Sequence, residues 1–159
     1  MHRRGRGFCT EVVVAKPFGS NVASVLAQAD FNNVASRAFD EGQTLPQMLV
    51  AACERYGDRP ACSNLGVRLS FNDINRLSAD LAAYLRHGLK LAPGDRVAIM
   101  LPNLLQYPVA TLGVLRADLV AVLVNPLYTA RELRHQLADS GARVLIVLDN
   151  FGAVAQEAL

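Results

Sequence analysis

Six residues of this chain have side chains and positions that invite a chemical role: Cys53, His87, Asn125, Tyr128, Thr129 and His135. A cysteine beside a base can act as a nucleophile, and a histidine can carry a proton. An Asn-Tyr-Thr set at the end of a strand can line a ligand site. Each also has a structural explanation that its local pattern favours. Cys53 lies among Leu49, Ala51 and Ala52, which makes it a small core residue with no base placed to activate it. His87 stands beside Gly88 at a helix end, where a cation complements the helix dipole. His135 follows Arg134 on the polar side of its helix. In "VNPLYTARELRHQL", Asn125 stops a strand, Tyr128 packs the loop, and Thr129 forms a capping box with Glu132. No catalytic, cofactor-binding or metal-ligating role is assigned to any of them.

Sequence devices that hold phosphate are missing as well. The first strong apolar strand is followed by "PNLLQYP" rather than GxGxxG, and the second by "NPLYT", which has no glycine. GxxxxGK[ST], HExxH and GxSxG do not occur, and lysine is confined to Lys16 and Lys90. The three cysteines, Cys9, Cys53 and Cys62, are scattered without CxxC spacing, which argues against a disulfide framework or a zinc site and fits a reducing cytoplasm.

Stepping out to the elements, 159 residues suffice for one domain with a real core. With 52% hydrophobic and 19% charged residues, the chain suits strands buried on both faces, as in a parallel sheet covered by helices. A net charge of +2, with Arg3, Arg4 and Arg6 crowded at the start, gives no basic face for nucleic acid. The apolar stretch 97–115 is nearly long enough to cross a bilayer, but Pro102, Asn103, Gln106 and Pro108 interrupt it. The Arg-rich beginning carries only "VVVA" as an apolar core, too short for an export signal.

Residues 1–43 lack sustained periodicity and are expected to be a poorly ordered extension with a short helix around 21–29. From Thr44 the pattern is regular. Thr44 caps a helix with Leu45, Met48, Leu49, Ala52 and Tyr56 on one face, ended by Gly57. A hairpin turns at Asn64-Leu65-Gly66. Ser70 and Asp73 open a long helix whose buried stripe is Ile74, Leu77, Leu81, Tyr84 and Leu85, with Asp73, Asn75, Arg76, Asp80 and Arg86 in solvent. Pro93-Gly94 has the residues of a type II turn. Buried strands are expected at 97–101 and 119–124, and a third, continuously apolar strand at 143–148. A helix starting between Asn103 and Pro108 joins the first two strands, and Ala130–Ser140 joins the second and third. Another helix begins in "FGAVAQEAL". This alternation predicts right-handed βαβ units and a parallel α/β sheet.

Three segments carry a family resemblance: "RYGDRPA", "LSFNDINRLSADLAAYLRHGLKLAPGDRVAIMLPNLLQYPVATLGVLRA" and "VNPLYTARELRHQLADSGARVLIV". They resemble the N-terminal region of bacterial long-chain fatty acid–CoA ligases, of the adenylate-forming (AMP-binding) superfamily, from about residue 44 to 159. "GDRVAIMLPN" is superfamily-wide, while "NLLQYPV" with "NPLYTARELRHQL" points to the long-chain branch.

The resemblance implies attack of a fatty carboxylate on ATP, with magnesium, to give an acyl-adenylate and pyrophosphate. CoA thiol would then displace AMP. It also implies that the phosphate loop, the nucleotide contacts, the magnesium-linked glutamate and the catalytic lysine lie further along, with no counterpart here. The chain is thus expected to be an incomplete N-terminal subdomain, truncated within an α/β unit and inactive alone. ATP, magnesium, CoA and fatty acid are expected only of a complete enzyme. Self-association or association with the missing remainder is expected, as is a cytoplasmic location with peripheral contact at the inner membrane. The competing expectation is a non-catalytic α/β module that joins a separately encoded partner. A small dinucleotide binder is disfavoured by the missing glycine fingerprint. One departure from the family stands out: Asp118 occupies a helix-terminal position that usually holds glycine, a substitution the fold should survive.

Overall fold

A computed structural model of the chain describes residues 11–15 and 42–159. Among these described residues, six strands and five α-helices follow in the order β1 Glu11–Ala15, α1 Leu45–Tyr56, β2 Pro60–Asn64, β3 Val67–Ser70, α2 Phe71–Ala83, β4 Arg96–Met100, α3 Gln106–Arg116, β5 Val120–Leu123, α4 Ala130–Ser140, β6 Val144–Leu148 and α5 Gly152–Ala158. Four strands form an all-parallel sheet in the order β1-β6-β4-β5, and β2 with β3 makes a separate antiparallel hairpin. The expected α/β parallel-sheet layering is what the molecule adopts.

The hydrophobic alternation of the central strands decides which helix lies where. Val97 and Ile99 of β4, with Val144, Ile146 and Leu148 of β6, face one side and pack under Ala110 and Val114 of α3 and under Leu85 and Leu91. Ala98 and Met100, with Leu145 and Val147, face the other side and meet Leu133 and Leu137 of α4 and Ala155 and Ala158 of α5. All five residues of β6 are buried, which is why this strand reads as a continuous apolar run rather than an alternating one. A third apolar cluster, Cys53, Leu69, Ile74, Leu105 and Leu112, fastens α1 and the hairpin to the outer side of α2 and α3.

Local signals in the sequence close most of the elements. Thr44, Ser70 and Thr129 each accept from the backbone N–H three residues on, and the side chain at that position returns a bond, completing three capping boxes. The turn before β4 has Gly94 at φ +82° and a bond from the Asp95 N–H to the Ala92 carbonyl, as a type II turn requires. Asp118 does adopt the left-handed conformation, at φ +56°.

The molecule departs from the sequence expectations in several places, one being β5, expected to be buried, whose Val120 and Leu123 are exposed at this edge of the sheet. Within the supposed poorly ordered extension, Glu11–Ala15 is an edge strand paired along its whole length with β6; the helix expected at 21–29 lies outside the described residues. Tyr84, assigned to the buried stripe of α2, is 49% exposed, while Ser78 is fully buried. Ser78 and Leu85 follow Ile74 at ordinary helical spacing on one face, which leaves Tyr84 to the side of it. The helix then ends in a π-helical turn, Tyr84–Gly88, in which the Leu89 N–H reaches back to the Tyr84 carbonyl and the Tyr84 ring lies across Gly88. In α1, Leu45 and Met48 are exposed, so the inward face starts only at Leu49. The start of α3 falls inside the expected span 103–108: the helix begins at Gln106 after Leu105, with Pro108 in its first turn.

Candidate functional site

In an open parallel sheet the place to look for chemistry is the carboxyl edge, where the chain's progression reverses. Here β4 leads to β5 on one side and then, through α4, to β6 on the other, so the reversal lies between β4 and β6. The segments at this edge are Pro102 to Leu105 after β4, Asn125 to Thr129 after β5, and Asp149–Phe151, a turn of 3-10 helix, after β6.

The β5 loop is held by its own bonds. Asn125 Oδ1 accepts from the Leu127 N–H at 3.0 Å, and the Asn125 carbonyl accepts from the Tyr128 N–H at 3.1 Å. Thr129 Oγ1 and its N–H both donate to Glu132 Oε2 at 2.8 Å, which holds the Glu132 carboxyl below its usual range through those two hydrogen bonds, the backbone one foremost. Tyr128 is half-buried against the core under α4. Asn125, Tyr128 and Thr129 are therefore occupied as strand stop, packing and cap, as their order along the chain implies.

The other candidates are dispersed. Cys53 is buried beside Leu69 and Ile74, and burial raises its thiol pKa, only partly opposed by the charge of Arg116. It is a thiol held away from the thiolate a nucleophile needs. Burial raises Cys62 too. His87 lies exposed in the π turn and His135 exposed on α4, so neither shares a cleft with the other or with Cys53. Among the described residues no three His, Cys, Asp or Glu side chains converge as a metal site would require.

Two grooves among the described residues lie near these elements. One, of about 210 Å³, runs between the hairpin and the start of α3, lined by Cys62, Asn64, Leu104 and Tyr107 among others, and is closed at one side by Asn64 Nδ2 donating to the Asn103 carbonyl at 2.8 Å. The second, of about 380 Å³, lies on α2 over Asn75, Arg76 and Arg116. Its floor holds a polar cluster that sequence reading missed: Arg116 donates to Asn75 Oδ1 at 2.6 Å, to the Asn75 carbonyl at 3.0 Å and to Ser78 Oγ at 3.1 Å. The clue was a serine at 78, on the stripe that runs through Ile74 and Leu85. These groups satisfy one another across the α2–α3 contact, which makes the cluster a clamp between helices.

Nucleoside triphosphate fits this edge poorly. The described glycines with positive φ are Gly57, Gly66, Gly94 and Gly141, and none lies in the segments after β4, β5 or β6. The α4 N-terminus is already closed by Thr129 and Glu132. No backbone cradle for phosphates is formed here.

Fold and edge together define a doubly wound parallel-sheet unit, with helices on both faces of the sheet. The chain belongs to the AMP-binding enzyme family, whose model matches residues 49–159. It is 53% identical over 112 residues to a long-chain-fatty-acid–CoA ligase of Salmonella typhimurium, covering 70% of this chain and 20% of that protein. It is 44% identical over 108 residues to the ligase of the same name from Bacillus subtilis, covering 67% and 19%. Among solved structures it is similar to the N-terminal domain of FACL13 from Mycobacterium tuberculosis, with a TM-score of 0.65 and 28% identity over 70% of this chain and 28% of that one. The chain thus spans about a fifth of the length of the curated relatives it matches.

Proposed function

We propose that this chain is the amino-terminal framework of a long-chain fatty acid–CoA ligase and forms no acyl-adenylate by itself. The observation that carries this reading is the 53% identity to the Salmonella ligase over 112 residues, confined to a fifth of that protein. The carboxyl edge supports the same view, because it holds no phosphate cradle and no paired acid and base. ATP, magnesium, CoA and the fatty acid are on this reading bound by polypeptide beyond the matched segment, and residues 44–159 make the incomplete subdomain that this polypeptide rests on. A cytoplasmic location with peripheral contact at the inner membrane belongs to the same proposal. Among the described residues no helix is long and apolar enough to cross a membrane.

The test is fatty-acid-dependent exchange between ATP and labelled pyrophosphate. The purified chain is expected to show none. Mixed with a separately expressed polypeptide carrying the remaining four-fifths of the Salmonella ligase, it is expected to support exchange with a long-chain acid and much less with benzoate. Exchange by the chain alone overturns the framework reading, and benzoate exchange equal to that with the long-chain acid overturns the substrate class.

A second reading, a non-catalytic module that joins a separately encoded partner, is favoured by one feature. The β5 edge and the loop after it expose Val120, Leu123 and Leu127, the last at 84%. Tight association with a polypeptide that lacks every adenylation motif would decide for it.

A further inference from the structure

The strand β1 comes from outside the segment that matches the family, yet it closes one edge of the family's sheet. Its register is complete, from Glu11 opposite Val144 to Ala15 opposite Leu148. Val13 and Ala15 pack on the same core as Val144, Ile146 and Leu148, whereas Val12 and Val14 on the other face are 37% and 47% exposed.

The handedness of the sheet says what else belongs at that edge. The connection from β5 through α4 carries the chain past β4 to β6 with its helix on the face of the second core. The helix α5, which follows β6, packs on that same face beside α4. Parallel crossovers are right-handed almost without exception, so two successive crossovers with helices on one face move in one direction. A strand following α5 would consequently be laid on the outer side of β6. That slot is the one β1 fills.

We infer that residues 11–15 are a stand-in strand, occupying the outer edge of β6 in competition with the strand that follows α5 in a full-length member of the family. While β1 is in place it satisfies the edge of a fully buried strand and blocks extension of the sheet. When longer polypeptide takes up its position, β1 must leave. The opposite edge is protected differently: there Gln136 Nε2 donates to the Leu123 carbonyl at 3.1 Å, filling an outward-facing acceptor of β5 with a side chain of α4. The inference rests on the family assignment and not on the fatty acyl specificity proposed above, so either can fail alone.

Hydrogen–deuterium exchange tests it. In the 159-residue chain, residues 11–15 are expected to be protected. Deleting residues 1–15 is expected to speed exchange at the outward amides of β6 by roughly 10-fold or more, with β4 as the internal reference for a folded sheet. Val13→Asp is the second variant, expected to act in the same direction without shortening the chain. The 159-residue chain is then extended by the segment that follows the aligned residues in the Salmonella ligase. Residues 11–15 are expected to lose protection in that chain while β6 keeps it. Unprotected residues 11–15 in the starting chain, unchanged β6 exchange in both variants, or residues 11–15 still protected in a folded extended chain would each overturn the inference.

Discussion

Arg116 shows how one side chain acts on the whole when it is placed between two helices. Its guanidinium gathers the carbonyl and side chain of Asn75 and the hydroxyl of the fully buried Ser78. Replacing it by Met keeps most of the apolar stem but takes the guanidinium donor from Asn75 Oδ1 and Ser78 Oγ, leaving the Asn75 carbonyl only the Ser78 hydroxyl of these side-chain donors. Arg116→Met is expected to lower unfolding stability by about 2 kcal/mol, read from the urea midpoint, and Ser78→Ala in that background to restore part of the loss. A midpoint unmoved by Arg116→Met would show that the cluster contributes nothing. Asp118 presents the opposite situation. Its φ of +56° is costly for any residue with a Cβ, and its carbonyl accepts from the Gly94 N–H at 2.8 Å, which fixes the conformation. Asp118→Gly is expected to raise stability by roughly 0.5–1 kcal/mol, the relieved strain exceeding the added freedom of the unfolded chain. A loss of stability would mean that the aspartate makes up for its backbone in another way.

At the scale of elements, the α2–α3 contact depends on the smallest residue in it. A Cβ built on Gly113 would lie 2.8 Å from Leu81 Cδ2 and 3.0 Å from Leu81 Cγ. Gly113→Ala would favour an isolated helix, yet here it must push α2 away or force Leu81 from its rotamer. Thermal unfolding is expected to show a loss of about 1–3 kcal/mol despite the better helix propensity. The helix starts respond to acid. Hydrogen bonds from Ser70 hold the Asp73 carboxyl below its ordinary 3.8, and those from Thr129 hold Glu132 below its ordinary 4.5. Both pKa values are lower in the folded state, so the unfolded state binds protons first as pH falls. The stability from these caps is fully present above those ordinary values and is lost as pH drops through the folded ones. Helicity followed by circular dichroism should therefore decline from about pH 4.5 downward, and Asp73→Asn with Glu132→Gln should flatten that decline.

For the molecule as a whole, the sheet is bounded by a short β5, whose outer face and following loop expose Val120, Leu123 and Leu127, and by β1 with Val12 and Val14. Apolar edges of this kind pair with whatever strand is available. Sedimentation is expected to show self-association that increases with concentration, reduced by Leu123→Lys or Leu127→Lys. A concentration-independent monomer would mean that these edges are adequately protected as they stand. The candidate site scales differently from the fold. Asn125, Tyr128, Thr129 and Cys53 could be read as structural from their neighbours in the chain alone, and that is where they lie. The Arg116 cluster could not, because its members are 38 and 41 positions apart.

Readable from the sequence by itself were the periodic and terminal features: the three capping boxes, the hairpin and type II turns, the apolar runs of β4 and β6, and the motifs that placed the chain in its family. These depend on residues within a few positions of one another, where backbone sterics and local hydrogen bonds decide the outcome. Tertiary structure decided that a polar Ser78 is buried, because its hydroxyl is paired by Arg116 and the Asn75 carbonyl, while Tyr84 stays exposed beside the Leu85 that packs on the sheet. It alone joined Arg116 to Asn75, and it alone brought residues 11–15 to β6. A five-residue strand with four apolar residues after Glu11 has no local preference strong enough to name its partner. The open backbone edge of a buried strand, more than 120 positions away, supplied it.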